Sequence, residues 1–451
     1  MINFIIFIKY IMNDNKILFE YIKNHEWNNF TNLLKKKKDI DVNIRDSNYN
    51  YLIQYIVMFN KKNIVKYLIN KGCRLDIIDT DGRSILFIPI KYNYIDILEL
   101  LLEFNDTVIG ISLIDIRDNF GFIPLYYAIM FNNIKAFDIL IKSGSNIRIK
   151  NKKSKDGIHL AVQYKREEIL NKILELDINI NSIDNNGETA LHYACNYNYT
   201  QIARILIEKN ADINIQDYKQ KATPLIYSVA LANTEITNLL LEKKAKVNLQ
   251  DHFGNTALHL AIIDNFPAII RLLLEKSEID YNIVNLDGNT PLHIALENNI
   301  ENEDIIIKLV KNTNLNIQNN FGNTPLYYII KQELWDLSSI LENKKCNFFI
   351  RNNKNEMIIG LYSKKSEEYQ KILDIATKSY YNLIKNNDSK WKLKWENLCQ
   401  KNSDNNKKEL QKMYKLKESK QEDICKKVII DYIEKNNTSI PQVEDNDINI
   451  R

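Results

Sequence analysis

Six histidines and five cysteines are the side chains of this 451-residue chain best suited to hold a metal or attack an electrophile. A zinc site needs thiolates or imidazoles at close spacing, or carboxylates converging on them. Cys73, Cys195, Cys346, Cys399 and Cys425 are far apart, odd in number and form no CxxC pair, which argues against both a zinc site and a disulfide framework. They fit a reducing compartment. His159, His192, His259 and His293 have no second histidine or carboxylate that we read as a ligand partner, and His25 and His252 stand alone. No Walker phosphate loop, dinucleotide fingerprint, HExxH or nucleophile elbow occurs. The chain is therefore expected not to be an enzyme, and no catalytic residue, metal ligand or cofactor is nominated.

Charge narrows the binding classes. The net charge of +4 arises from 61 basic and 57 acidic residues mixed along the chain, so no global field points to nucleic acid. The run Lys35 to Lys38 reads as the solvated, dipole-matched end of a short helix rather than a nuclear address. Hydrophobic residues at 45% and charged residues at 26% are ordinary for a folded protein. A single core rarely organises this length, which leaves several domains or an elongated array.

The elements that must position these side chains recur. An Asp or Asn, two residues, Gly, then Thr-Pro-Leu-His-x-Ala or a variant appears as DNNGETALHYA from Asp184, DHFGNTALHLA from Asp251, NLDGNTPLHIA from Asn285 and NNFGNTPLYYI from Asn319. Thr189, Thr223, Thr256, Thr290 and Thr324 mark the phase and lie 33 or 34 residues apart. Weaker copies extend it to His159, Asp118, Asp79 and Asp46, and a degenerate copy starts at Arg351. The step from Asp79 to Asp118 is 39 residues, which predicts an insertion of about six over 105–112. Thr is a good helix N-cap and Pro suits the first helical turn, so Thr-Pro starts a helix. A second helix follows, with Ile202, Ile205 and Leu206, or Ile269, Leu272 and Leu273, as its apolar face.

This phrase and its period resemble those of ankyrin repeats. The resemblance covers residues 13 to 383 and implies an all-α repeat fold: an ankyrin solenoid of about nine to ten helix-turn-helix repeats with hairpin-like turns. The expected domains are an apolar N-terminal extension (1–12), a capping repeat (13–45), the repeats (46–350), a degenerate capping repeat (351–383) and a lysine-rich helical tail (384–451). The resemblance also implies that the recurring imidazole ties each helix start to the next turn. Ankyrin proteins usually end the first helix with Gly, whereas Asn60, Asn93, Asn132, Asn198, Asn265 and Asn299 fill the slot here. Asn tolerates the left-handed conformation best after Gly, so the fold is not put in doubt.

Ankyrin proteins bind partner proteins on a concave face made of turn tips and first-helix ends, so a scaffold for an unidentified protein is the expected function. The residue before the Asn slot is Phe59, Tyr92, Phe131, Tyr164 and Tyr197 in five consecutive repeats, then Leu231, Asp264, Asn298 and Gln332. Packed helices lie about 8–10 Å apart, too far for ring stacking at about 4.5–7 Å. The rings either receive side chains of an extended peptide, one ring to about every third residue at roughly 3.3 Å per residue, or cover the helix ends. Phe120, Phe122, Tyr218, Phe253 and Phe321 are assigned to the turns as further anchors.

Both ends are less regular. MINFIIFIKYI falls short of the about 18 apolar residues of a membrane span, so no membrane is expected; Met12 as the start and a flap over the first helices both remain open. Trp391 and Trp395 share a helix face in the tail and are expected to dock on the last repeat. DICKKVIIDYI followed by TSIPQVED is similar to the SOCS-box tails with which some ankyrin proteins recruit ubiquitin ligase subunits. Cys425 and Ile429 have the right separation, but Gln421 stands where a leucine belongs and only Pro441 follows. The Asn, Ile and Lys richness and the repeat phrasing resemble ankyrin proteins of giant amoeba-infecting DNA viruses, which implies a host-protein target and the host cytoplasm.

Overall fold

A computed structural model describes residues 16–37, 40–104, 113–385 and 418–436. The extension 1–12, the insertion 105–112, Trp391, Trp395 and Pro441 lie outside them. The chain divides into two compact units, Met1–Leu240 and Leu241–Arg451. Among the described residues there are no extended strands, only isolated antiparallel bridges: Arg45 with Tyr51, Ile78 with Ser84, Ile183 with Thr189 and Arg351 with Met357.

The first unit begins with helices over residues 16–23 and Trp27–Lys36, whose contact residues Leu18, Ile22, Phe30 and Leu34 are buried. Helix pairs follow: Leu52–Met58 with Lys62–Asn70, Phe87–Lys91 with Ile95–Glu103, Pro124–Met130 with Ile134–Lys142, Gly157–Gln163 with Glu167–Leu174, and Ala190–Asn196 with Thr200–Glu208. Pro224–Ala230 is followed by Thr234–Glu242, and the second unit opens with Ala257–Ile263 and Pro267–Leu274. Pro291–Glu297 with Glu303–Asn312 comes next, then Pro325–Lys331.

The starts form as the phrase predicts. Thr189, Thr223, Thr256, Thr290 and Thr324 are N-caps in extended geometry, each accepting a backbone N–H from the first turn, and proline follows at three of them. All six predicted Asn caps are left-handed, with φ between 50° and 57°. Lys165, Ala232 and Glu333 take the same conformation in the same slot without an Asn to announce it. The buried stripe of the second helices is rotated from the expected one. Ile202, Ala203, Leu206 and Ile207, and Ile269, Ile270, Leu273 and Leu274, are buried, while Ile205 and Leu272 are half-buried.

Regularity fails after Pro325–Lys331. Its partner is a single turn of 3-10 helix, Trp335–Leu337, running into Ser338–Leu341, and the degenerate repeat has only Ile358–Gly360 before the long helix Glu367–Lys385. Glu418–Asn436 packs on that long helix. Cys425, Val428, Ile429 and Ile433 on it are buried, and Lys426 reaches Asp374 at 2.6 Å. Among the described residues, no helix is long and apolar enough to cross a membrane.

Candidate partner-binding surface

The surface is built on its turns. In each one an Asx side chain accepts backbone N–H groups ahead of it, as Asp184 does from Asn186 at 2.8 Å and Glu188 at 3.0 Å, and Asn319 from Phe321 and Asn323. Asp217 reaches one residue further, to Gln220 and Ala222, because its turn is one residue longer. The residue after Gly or its substitute then leads into the N-cap. Left-handed φ makes Gly useful here: a Cβ on Gly322 would stand 2.7 Å from the Asn353 nitrogen.

Histidine locks each turn to the next. Nδ1 of His192, His259 and His293 accepts the N–H of its own N-cap threonine at 3.0–3.1 Å. That assigns the proton to Nε2, which donates to the Ala222, Asn289 and Asn323 carbonyls at 3.1–3.2 Å. Burial of these rings lowers their pKa, to about 4 for His259 and His293. The tie implied by the resemblance is present. His159 differs from the expectation in one respect: Asp156 lies 2.7 Å from its Nδ1, a carboxylate neighbour our reading passed over. Burial works to raise that carboxyl, but the hydrogen bonds and charge of His159 outweigh it and hold it below its usual range. Among the described residues, no group of three or more His, Cys, Asp or Glu side chains could hold a metal. Burial pushes the Cys73 and Cys346 thiols up to about 12 and Cys195 higher still, which leaves no reactive thiolate among them.

Two further supports escaped the sequence reading. Gln54 takes the imidazole's place in the first repeat, its Oε1 accepting from Tyr51 N–H at 2.7 Å, and Tyr126 takes it in the third, donating to the Ile149 carbonyl. One position on, tyrosines clasp the turn carboxylate nine residues earlier: Tyr55 to Asp46 at 2.6 Å, Tyr193 to Asp184 at 2.8 Å, and Tyr127 to Asp118. Burial and these carboxylates together raise the phenol pKa values.

On this frame Phe59, Tyr92, Phe131, Tyr164 and Tyr197 each form the C-cap of a first helix. Tyr92, Phe131 and Tyr197 are exposed by 46%, 42% and 41%, whereas Phe59 and Tyr164 are half-buried. Among the described residues, no two successive ladder rings are in ring contact. Phe59 meets His25 and Trp27 of the cap, Phe131 meets Phe87 and Tyr127, and Tyr92 and Tyr197 stack on Tyr94 and Tyr199. Phe120, Tyr218, Phe253 and Phe321 stand at the tips, 57–69% exposed. Phe122 instead turns back, half-buried against Tyr126 and Tyr127. Tyr49 and Leu286, equally exposed at tips, were missed because one sits in a copy without Gly and the other is not aromatic.

Comparison with known proteins follows the same lines. A family profile described as ankyrin repeats in three copies matches residues 18–112, 158–251 and 225–319, more than half of the chain. An ankyrin repeat protein of Acanthamoeba polyphaga mimivirus is 35% identical over 167 residues, 37% of this chain and 22% of the relative. The nuclear factor NF-kappa-B p105 subunit of Gallus gallus is 25% identical over 157 residues, 34% of this chain and 16% of that protein. The crystal structure of the Bcl-3 ankyrin repeat domain matches at 26% identity and a TM-score of 0.46, covering 51% of this chain and 99% of that one. The chain thus spans less than a third of the length of the curated relatives it matches. With the phased turns, the histidine ties and the matched profile in agreement, the chain belongs to the ankyrin-repeat family.

Proposed function

We propose that this protein is an interaction scaffold that captures a partner protein on the face shared by the first-helix ends and turn tips of its first unit. The observation that carries the reading is the set of rings at equivalent C-cap positions, with Tyr92, Phe131 and Tyr197 open to solvent. Aromatic side chains lose little entropy on docking and offer large apolar area, so a row of them suits an extended peptide. Phe120 and Tyr218 extend this surface at the tips, and Phe253 and Phe321 offer comparable anchors in the second unit. The likeness to a mimivirus protein supports a viral-type protein aimed at a host target, and the buried thiols of Cys73, Cys195 and Cys346, in no disulfide among the described residues, suit a reducing cytoplasm.

The alternative of a ubiquitin-ligase adaptor has weaker support. Cys425 and Ile429, the residues that suggested a SOCS-box-like tail, are buried on the helix that packs against Glu367–Lys385. The test of the main reading selects binders to the full chain from a random 12-residue peptide display library and repeats it with Tyr92, Phe131 and Tyr164 all changed to Ser. Retained melting temperature with lost peptide binding is expected. Peptides that bind the variant as well as the parent would overturn it.

A further inference from the structure

We propose that the captured segment is an acidic, extended peptide whose carboxylates sit on a cationic aromatic strip where the fourth and fifth repeats of the first unit adjoin. The inference rests on the reading above and adds the chemistry of the partner. Five basic residues fall within eight positions: Arg148, Lys150, Lys152, Lys153 and Lys155. Two are committed within the fold. Arg148 pairs with Asp177, and Lys150 donates to the Ile183 carbonyl at 2.7 Å.

Lys155 donates to Gln163 at 2.7 Å and also faces a ring. Lys155 Nζ lies 4.5 Å from the Tyr193 ring centre, Tyr193 is 6.1 Å from Tyr197, Tyr197 stacks on Tyr199 at 5.4 Å, and Lys165 Nζ lies 5.0 Å from Tyr199. Tyr193 is buried, so the part of this run open to a partner is Tyr197, half-buried Tyr199 and exposed Lys165 at the helix ends. Exposed Lys152 and Lys153 stand at the tip beside it, with the Lys152 N–H bonded to the carbonyl of exposed Phe120 at 3.1 Å. Among the described residues, Lys152, Lys153 and Lys165 are in no ion pair.

The acids at the turn are already engaged, while Glu167 and Glu168 start the helix after Lys165. Asp184 accepts from Tyr193 and from its own turn, Glu188 accepts from Asn186 and Tyr227, and Asp156 is held by His159. The surface left to a partner is thus positive and aromatic, and it complements carboxylates interleaved with apolar side chains. Single-stranded nucleic acid also uses rings and cations, but it needs basic groups along the whole track of its backbone. Here only Lys91 and Lys165 directly flank ladder residues, and the cluster from Arg148 to Lys155 lies on a single turn.

The peptides selected on the full chain test this directly. We expect them to be enriched in Asp and Glu, and their affinity to fall about tenfold in a chain with Lys152→Glu, Lys153→Glu and Lys165→Glu, with the melting temperature unchanged. Raising salt should weaken the parent complex and leave that variant's residual binding nearly flat. Selected peptides without acidic excess, or affinity unchanged by charge reversal, overturn the acidic assignment while leaving the scaffold reading intact, provided the triple Ser variant still loses binding. Failure to select any peptide overturns both. A 12-nucleotide oligo-dT that binds more tightly than the best peptide overturns the peptide class itself.

Discussion

His259 and His293 show how a single repeated residue couples stability to pH. Each ring spends Nδ1 on its own helix start and Nε2–H on the next turn, and a second proton on Nδ1 would break the first bond. Their folded-state pKa values of about 4 lie below the ordinary 6.5, so between those values the unfolded chain binds protons that the folded chain refuses. Stability is therefore full above about pH 6.5, falls as pH drops toward 4 and loses no more to these groups below it, by on the order of 3 kcal/mol per ring at about 1.36 kcal/mol per pKa unit. Urea unfolding from pH 7 to 5 should show this slope, and a His259→Gln, His293→Gln chain should show a shallower one. Gln is the apt replacement because Gln54 already accepts the N-cap N–H in that slot. An unchanged slope in the double variant would remove the histidines as its source. These roles were implied by the ankyrin resemblance, which the in-phase recurrence of His helps to carry. The left-handed Lys165, Ala232 and Glu333 were not legible in the sequence, since nothing in those side chains favours positive φ and only the repeat's phase imposes it.

The helix pairs owe their entry angle to turn and tyrosine together. Tyr193 spans nine residues to reach Asp184, whose other oxygen accepts two N–H groups of its turn, so one carboxylate joins turn to helix. Removing the phenol oxygen leaves a buried lone pair unmet, which costs about 1–3 kcal/mol. Tyr193→Phe should lower the unfolding free energy by that amount, while Asp184→Asn with Tyr193→Phe should cost less than the sum of the two single changes. Strict additivity in that cycle would mean the clasp contributes nothing. The spacing was visible in the sequence as Asp and Tyr nine apart, yet a period search weights the shared Thr and His and passes over it. First-helix starts followed the Thr caps, whereas at Trp335–Leu341 the second helix starts as 3-10 and stops after two short turns. The tail helix was expected from composition, but its docking on Glu367–Lys385 was not legible, because which apolar face finds a partner depends on tertiary packing.

Each unit is held together by neighbours along the sequence. In the first, Gly157–Gln163 touches the first helices on either side of it, Pro124–Met130 and Ala190–Asn196, and Glu167–Leu174 touches Ile134–Lys142. Stability of such an array is close to a sum of repeat and nearest-neighbour terms, so damage should stay local rather than spread. Leu170 is fully buried in Glu167–Leu174, and Leu170→Ala removes about 2–5 kcal/mol of packing there. Hydrogen exchange should then quicken in 157–174 and in the adjoining helices Ile134–Lys142 and Ala190–Asn196, while Lys62–Asn70 keeps its parent protection. The aromatic face makes this outcome matter for binding. Phe59 and Tyr92 lie on repeats outside the damaged neighbourhood, whereas Tyr164 and Tyr197 lie within it, so a peptide that spans the ladder should lose affinity by the cost of reordering only the latter end. Exchange that quickens equally across the first unit would show instead that its repeats open as one, and the ladder could then be gained or lost only as a whole.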